Sequence, residues 1–86
     1  MKEERGVSGE LLKAIDLAVA GKWDAAHRLV QQFEANRTAA WIHAVLHKIE
    51  GDMDNSRYWY RKAGKMDCVD HQPQSELQAI KRAIVG

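Results

Sequence analysis

A shift of 30 residues lays this chain on itself, and no other feature limits its folding so much. Gly21 falls on Gly51 and Asp24 on Asp54, while Leu11, Leu12, Ala14, Ile15 and Val19 fall on Trp41, Ile42, Ala44, Val45 and Ile49. In each copy an apolar stretch with helical spacing runs into a glycine, and a second helical stretch follows. Leu11, Leu12, Ile15, Ala18 and Val19 are spaced i, i+1, i+4, i+7, i+8, which is one face of a helix. Ser8 is placed to cap this helix, and Gly21 to end it in the left-handed conformation that glycine adopts without steric cost. Trp23, Ala26, Leu29, Val30 and Phe33 mark the second helix. Asn36 to Thr38 then offers a cap for a third, carrying Trp41, Ile42, Val45, Leu46 and Ile49 and stopping at Gly51. Asp52 or Asp54 can cap a fourth, with Ser56, Trp59, Tyr60 and Ala63 on one face and Gly64 near its end. Residues 65–72 are a polar connection. Pro73 suits the first turn of a last helix, whose stripe is Leu77, Ile80 and Ile84.

The expected fold is therefore all-α with five helices. Two antiparallel hairpins, about 9–35 and about 38–65, form one domain with a capping helix at about 73–85. Ala14 and Ala44, small and at equivalent places, let the two helices of each hairpin approach closely. The expected core is Leu12, Ile15, Val19, Trp23, Leu29, Trp41, Val45, Ile49, Trp59, Ala63 and Leu77. Eighteen Leu, Ile, Val and Phe residues suffice for a thin core in 86 residues.

Gly21…Ala26 and Gly51…Ser56 resemble the tetratricopeptide pattern, in which a small residue follows a glycine five positions later. Trp59-Tyr60-Arg61-Lys62-Ala63 is similar to the end of a Sel1-type repeat. The resemblance spans residues 10–65 and implies a stack of helical hairpins that binds a protein or peptide in a groove. His43-Ala-Val-Leu46-His47-Lys-Ile-Glu50-Gly51-Asp52, followed by Asn55 and Tyr58-Trp59-Tyr60, also resembles a run in small bacterial and fungal proteins, a likeness that carries no activity.

Polar side chains decide between function classes. At about 100° per residue, Trp41, Val45, Ile49, Ile42 and Leu46 occupy an arc of about 140° on the third helix. Glu50, His43 and His47 follow as a second stripe at its edge. Two imidazoles at i, i+4 can chelate zinc or another divalent metal, with Glu50 as a third ligand. Ala44 stands where a zincin has its catalytic Glu, and His47 precedes Glu50, the reverse of a di-iron Glu-x-x-His pair. The plainer reading is a polar flank with a His47–Glu50 pair and hydrogen bonds to a neighbouring helix through tyrosine or Asn55.

Tyr58-Trp59-Tyr60 lies among Arg57, Arg61, Lys62 and Lys65. Interleaved aromatic and basic residues can hold nucleic acid, but three successive aromatics on a helix point three ways, and the net charge is only +1. No nucleic-acid or membrane partner is expected. Tyr58 beside Arg61 and Lys62 suits a protein contact. Cys68 lies between Asp67 and Asp70, carboxylates that raise a thiol pKa, and reads as an inert cysteine. With no nucleophile elbow or phosphate loop, no catalytic residue is assigned and an enzyme is not expected.

The favoured function is a non-enzymatic protein-interaction module of helical-repeat type, contacting its partner through His43, His47, Tyr58, Arg61 and Lys62. The alternative is a small metal- or ligand-binding protein using His43, His47 and Glu50, with Asn55 or Tyr60 beside them. A homodimer is expected, because Leu11, Leu17, Val30 and Phe33 offer the first hairpin more apolar surface than its own chain covers. One cysteine and a start without a signal-peptide core lead to the expectation of a cytoplasmic protein.

Overall fold

The computed structural model describes residues 2–86, with side chains from Val7 onward. Helix α1 spans Lys2–Val19, α2 Trp23–Val30, α3 Arg37–Ile49, α4 Met53–Ala63 and α5 Pro73–Val85. Short 3-10 turns at Gln31–Phe33 and Met66–Cys68 follow α2 and α4. There is no strand among the described residues, and no helix is long and apolar enough to cross a membrane.

The 30-residue repeat has a physical basis in its turns. Gly21 and Gly51 both adopt positive φ, at 82° and 84°. After each, the next amide reaches back five residues: Lys22 N–H donates to the Leu17 carbonyl at 2.8 Å, and Asp52 N–H to the His47 carbonyl at 2.9 Å. These are glycine-dependent Schellman closures, and the short connections after them fold α2 back on α1 and α4 back on α3. Gly64, at φ 70°, ends α4 in the same way. Asn36 caps α3 by accepting from Ala39 N–H at 2.9 Å, Asp52 caps α4, and Pro73 opens α5.

Close approach between helices depends on small residues. Ala14, Ala18, Ala26 and Ala44 are fully buried. Ser56, the counterpart of Ala26 in the repeat, donates its hydroxyl to the Ala44 carbonyl at 2.7 Å and ties α4 to α3. Helix α3 is central. It meets α2, α4, α5 and, less extensively, α1, so every residue from Ala39 to Leu46 is buried.

Several expectations need correction. Ser8 caps nothing, because α1 begins at Lys2 and Ser8 lies within it. Leu11 is the buried leucine of α1, and Leu12 is only half-buried. Val19 and Trp23 are 43 % and 42 % exposed, since they flank the Gly21 turn at the end of the hairpin. The apolar surplus of the first hairpin is also smaller than the pattern indicated. Leu11 and Val30 are buried within the chain, Leu17 and Phe33 pack partly on the core, and α5 lies against α1 as well as α3.

Glu76 fastens α5 to the rest. Its fully buried carboxylate accepts from Trp41 Nε1 at 2.8 Å, from Lys48 Nζ at 2.8 Å, and from the Tyr60 hydroxyl at 2.7 and 2.8 Å. Lys48 spends its other two protons on the Cys68 and His71 carbonyls, at 3.1 and 2.7 Å, and so orders the connection before α5. Removing one partner of a buried charge pair leaves the other uncompensated. Glu76→Ala should therefore cost about 3–5 kcal/mol, and Tyr60→Phe, which deletes one hydroxyl, about 1–2 kcal/mol. Urea unfolding followed by circular dichroism measures both. Equal small losses in the two variants would contradict the assignment.

Candidate functional site

Three imidazoles meet where α2, α3 and α4 come together. His43 and His47 lie one turn apart on α3, with rings nearly parallel at 14° and centroids 4.9 Å apart. His27, from α2, stands edge-on to both, with centroids at 4.5 and 4.9 Å. On the side of α4, Trp59 stacks on His43 at 3.9 Å. One nitrogen from each of the three rings lies within 4.8 Å of the others.

The sequence placed His43 on a polar flank, but its exposure is only 4 %. The reason is the central position of α3, whose polar edge is covered by α2 on one side and Trp59 on the other. Burial holds the His43 pKa down at about 3, and the nearby His27 and His47 add to the depression. His47 is lowered chiefly by burial and next by His27, against an opposite pull from Glu50 and Asp52. His43 and His47 are thus kept neutral, with lone pairs available. His27 Nε2 and His43 Nε2 lie 2.6 Å apart, so one ring donates its proton to the lone pair of the other. The His47 ring is 12 % exposed, and its buried Nδ1 has no hydrogen-bond partner. Glu50 Oε1 and Asp52 Oδ2 stand near that atom, at 3.6 and 3.7 Å.

The remaining sequence candidates are distributed differently. Glu50 lies at the rim beside His47 Nδ1, and the third side-chain nitrogen that converges with His43 and His47 belongs to His27. Asn55 is bound to the α4 cap, its Nδ2 donating to Asp52 Oδ2 at 2.6 Å, a bond that also lowers the Asp52 pKa. Tyr60 is fully buried, and burial, with its hydrogen bond to Glu76 next, raises its hydroxyl pKa, so it forms no part of a pocket beside the imidazoles. Tyr58 is 49 % exposed and sits edge-on to Trp59, with Lys62 Nζ about 5.5 Å from both ring centroids; Arg61 is exposed. The Cys68 thiol is buried, and its pKa is raised by burial, Asp67 and Glu76.

Sequence reasoning missed His27, the stacking of Trp59 on His43, and the whole Glu76 network. A signal for His27 existed, because three of the four histidines fall between positions 27 and 47 and consecutive helices are usually neighbours in space. Comparison with protein-family models, curated proteins and solved structures returns no match.

A pH dependence follows from the burial of His43. The unfolded chain takes up its proton below the ordinary histidine value of 6.5, whereas the folded protein does so only near 3. Between those values the unfolded state binds more protons, so folding stability falls as the pH falls. For one proton the slope is about 1.4 kcal/mol per pH unit, or about 2 kcal/mol lost at pH 5. His47 shifts in the same direction. Urea unfolding of metal-free protein from pH 7.5 to 4.5 should show this slope, and His43→Phe, which keeps a flat ring against Trp59, should reduce it. An identical slope in the variant would exclude His43 as its source.

Proposed function

We propose that this chain is a small helical protein that binds a transition-metal ion through His27, His43 and His47. The observation that carries the reading is the convergence of three imidazole nitrogens from two hairpins, two of them on rings kept neutral by burial. Metal-ligating histidines must be neutral, and an all-imidazole set suits zinc, cobalt, nickel or copper rather than calcium or magnesium. The distances are compatible with such an ion. Tetrahedral coordination with bonds of about 2.0–2.1 Å places ligand nitrogens about 3.3 Å apart. The 2.6 Å gap between His27 and His43 has to open slightly, and the widest gap, 4.8 Å, has to close. Side-chain rotation alone supplies movements of that size. Three protein ligands leave a fourth position for water or a small ligand, as in zinc sites that do chemistry.

A second reading, the interaction module favoured by the sequence, is supported by the exposed rings of Trp23 and Tyr58. Aromatic side chains of that kind anchor protein contacts. The expected homodimer belongs to this reading, and Val19 with Trp23 at the first turn is the apolar surface open to it. Sedimentation equilibrium at micromolar concentration tests the homodimer, which predicts a mass near twice 9.8 kDa.

Protein prepared without a histidine tag and titrated with cobalt(II) tests the metal reading. We expect one equivalent bound at micromolar or tighter affinity, with visible d–d bands of four-coordinate cobalt. His27→Gln and His47→Gln should each abolish those bands while retaining the helical circular-dichroism spectrum. Zinc at about 100 times its dissociation constant should stabilise the fold by about 2.7 kcal/mol. Absence of cobalt and zinc binding in the wild-type protein would overturn the reading.

A further inference from the structure

His47 Nδ1 is the one buried side-chain polar atom without a hydrogen-bond partner among the described residues. Such an atom calls for a physical account, because an unpaired buried polar group costs free energy. Its surroundings supply one. Glu50 Oε1 lies 3.6 Å from it and Asp52 Oδ2 3.7 Å, so two carboxylates face one ring nitrogen just beyond hydrogen-bond length. Their placement follows from the turn. Asp52 N–H donates to the carbonyl of His47 itself at 2.9 Å, and Asp52 caps α4, so its carboxylate is held by backbone bonds beside that ring. Glu50 is on the same face one turn on from His47.

We infer that Glu50 and Asp52 are outer-sphere carboxylates of the metal site: they hold His47 with its proton on Nδ1 and Nε2 directed to the metal, and they select a divalent over a monovalent ion. The inference rests on the metal-binding reading above. A metal on Nε2 takes that lone pair and leaves the ring proton on Nδ1, where a small rotation of His47 brings it to a carboxylate oxygen. Hydrogen-bonded carboxylates behind ligating histidines fix ring orientation and increase ligand basicity. Charge gives the selectivity. Three neutral imidazoles add no charge, so the two positive charges of a divalent ion are compensated by Glu50 and Asp52 alone within this shell. A cuprous ion carries one charge, favours soft ligands, and gains less from the pair. Among the described residues, Glu50 and Asp52 are the carboxylates within 4 Å of a His47 ring nitrogen, and the imidazoles beside that ring are His27 and His43.

The test uses Glu50→Gln, Asp52→Asn and the double variant in the full chain. Asparagine caps a helix about as well as aspartate, so Asp52→Asn keeps the α4 cap while removing the charge. Affinities for cobalt(II) and zinc(II) are read by chelator competition, and for copper(I) by anaerobic competition with a chromophoric chelator. We expect the double variant to bind cobalt and zinc about 10- to 100-fold more weakly than wild type. Copper(I), with half the charge, should lose about 3- to 10-fold, the square root of the divalent loss, and the metal-free melting temperature should not move. Unchanged cobalt and zinc affinity in the double variant, with wild type binding normally, would overturn the outer-sphere assignment and leave the three-histidine site standing. An equal loss for copper(I) would overturn the selectivity. Failure of the wild-type protein to bind any of these ions would remove the metal site and this inference together.

Discussion

Helix α3 is enclosed by α2, α4 and α5, and most of what is distinctive in this protein follows from that enclosure. An amphipathic helix on a domain surface keeps its polar stripe in water. Here the stripe is covered, so His43 and most of His47 are taken out of solvent and must be neutral, paired or ligated. The protein brings a third imidazole from α2 to meet them and lays Trp59 over His43.

The two polar centres of the fold differ in this respect. Around Glu76 each carboxylate oxygen is matched by donors from Trp41, Lys48 and Tyr60, and all three Lys48 protons find acceptors. That network is closed and holds α5 and its connection in place. Around the imidazoles one nitrogen remains unpartnered and a hydrogen bond joins two groups that are both metal ligands by nature. The first centre is complete without any further species. The second has unused ligand capacity, and carboxylates stand beside it.

Both centres depend on the turns of the repeat. The closure at Gly51 sets Asp52 against the His47 carbonyl and starts α4 at the angle that places Trp59 on His43. The closure at Gly21 folds α2 back along α1, which carries His27 to α3. A substitution at either glycine would strain a backbone with φ above 80° and disturb the imidazole geometry as well as the hairpin.

The helices themselves were legible in the sequence, because apolar spacing, Gly21, Gly51, Gly64, Asn36 and Pro73 act locally within a few residues. The inward placing of Ile15, Val45, Ala63 and Leu77 was legible for the same reason, as were His43 and His47 as neighbours on one face. Other features could be settled only by tertiary contacts. Exposure of Val19 and Trp23 depends on where a hairpin ends relative to its neighbours, and burial of His43 on how many helices surround α3. Recruitment of His27 needs α2 and α3 side by side across 16 residues of chain, and Glu76 finds Trp41 across 35. Local periodicity carries the face of a helix on which a residue lies. What covers that face is decided by the packing of distant segments, and here that packing turned an edge of polar residues into an enclosed site.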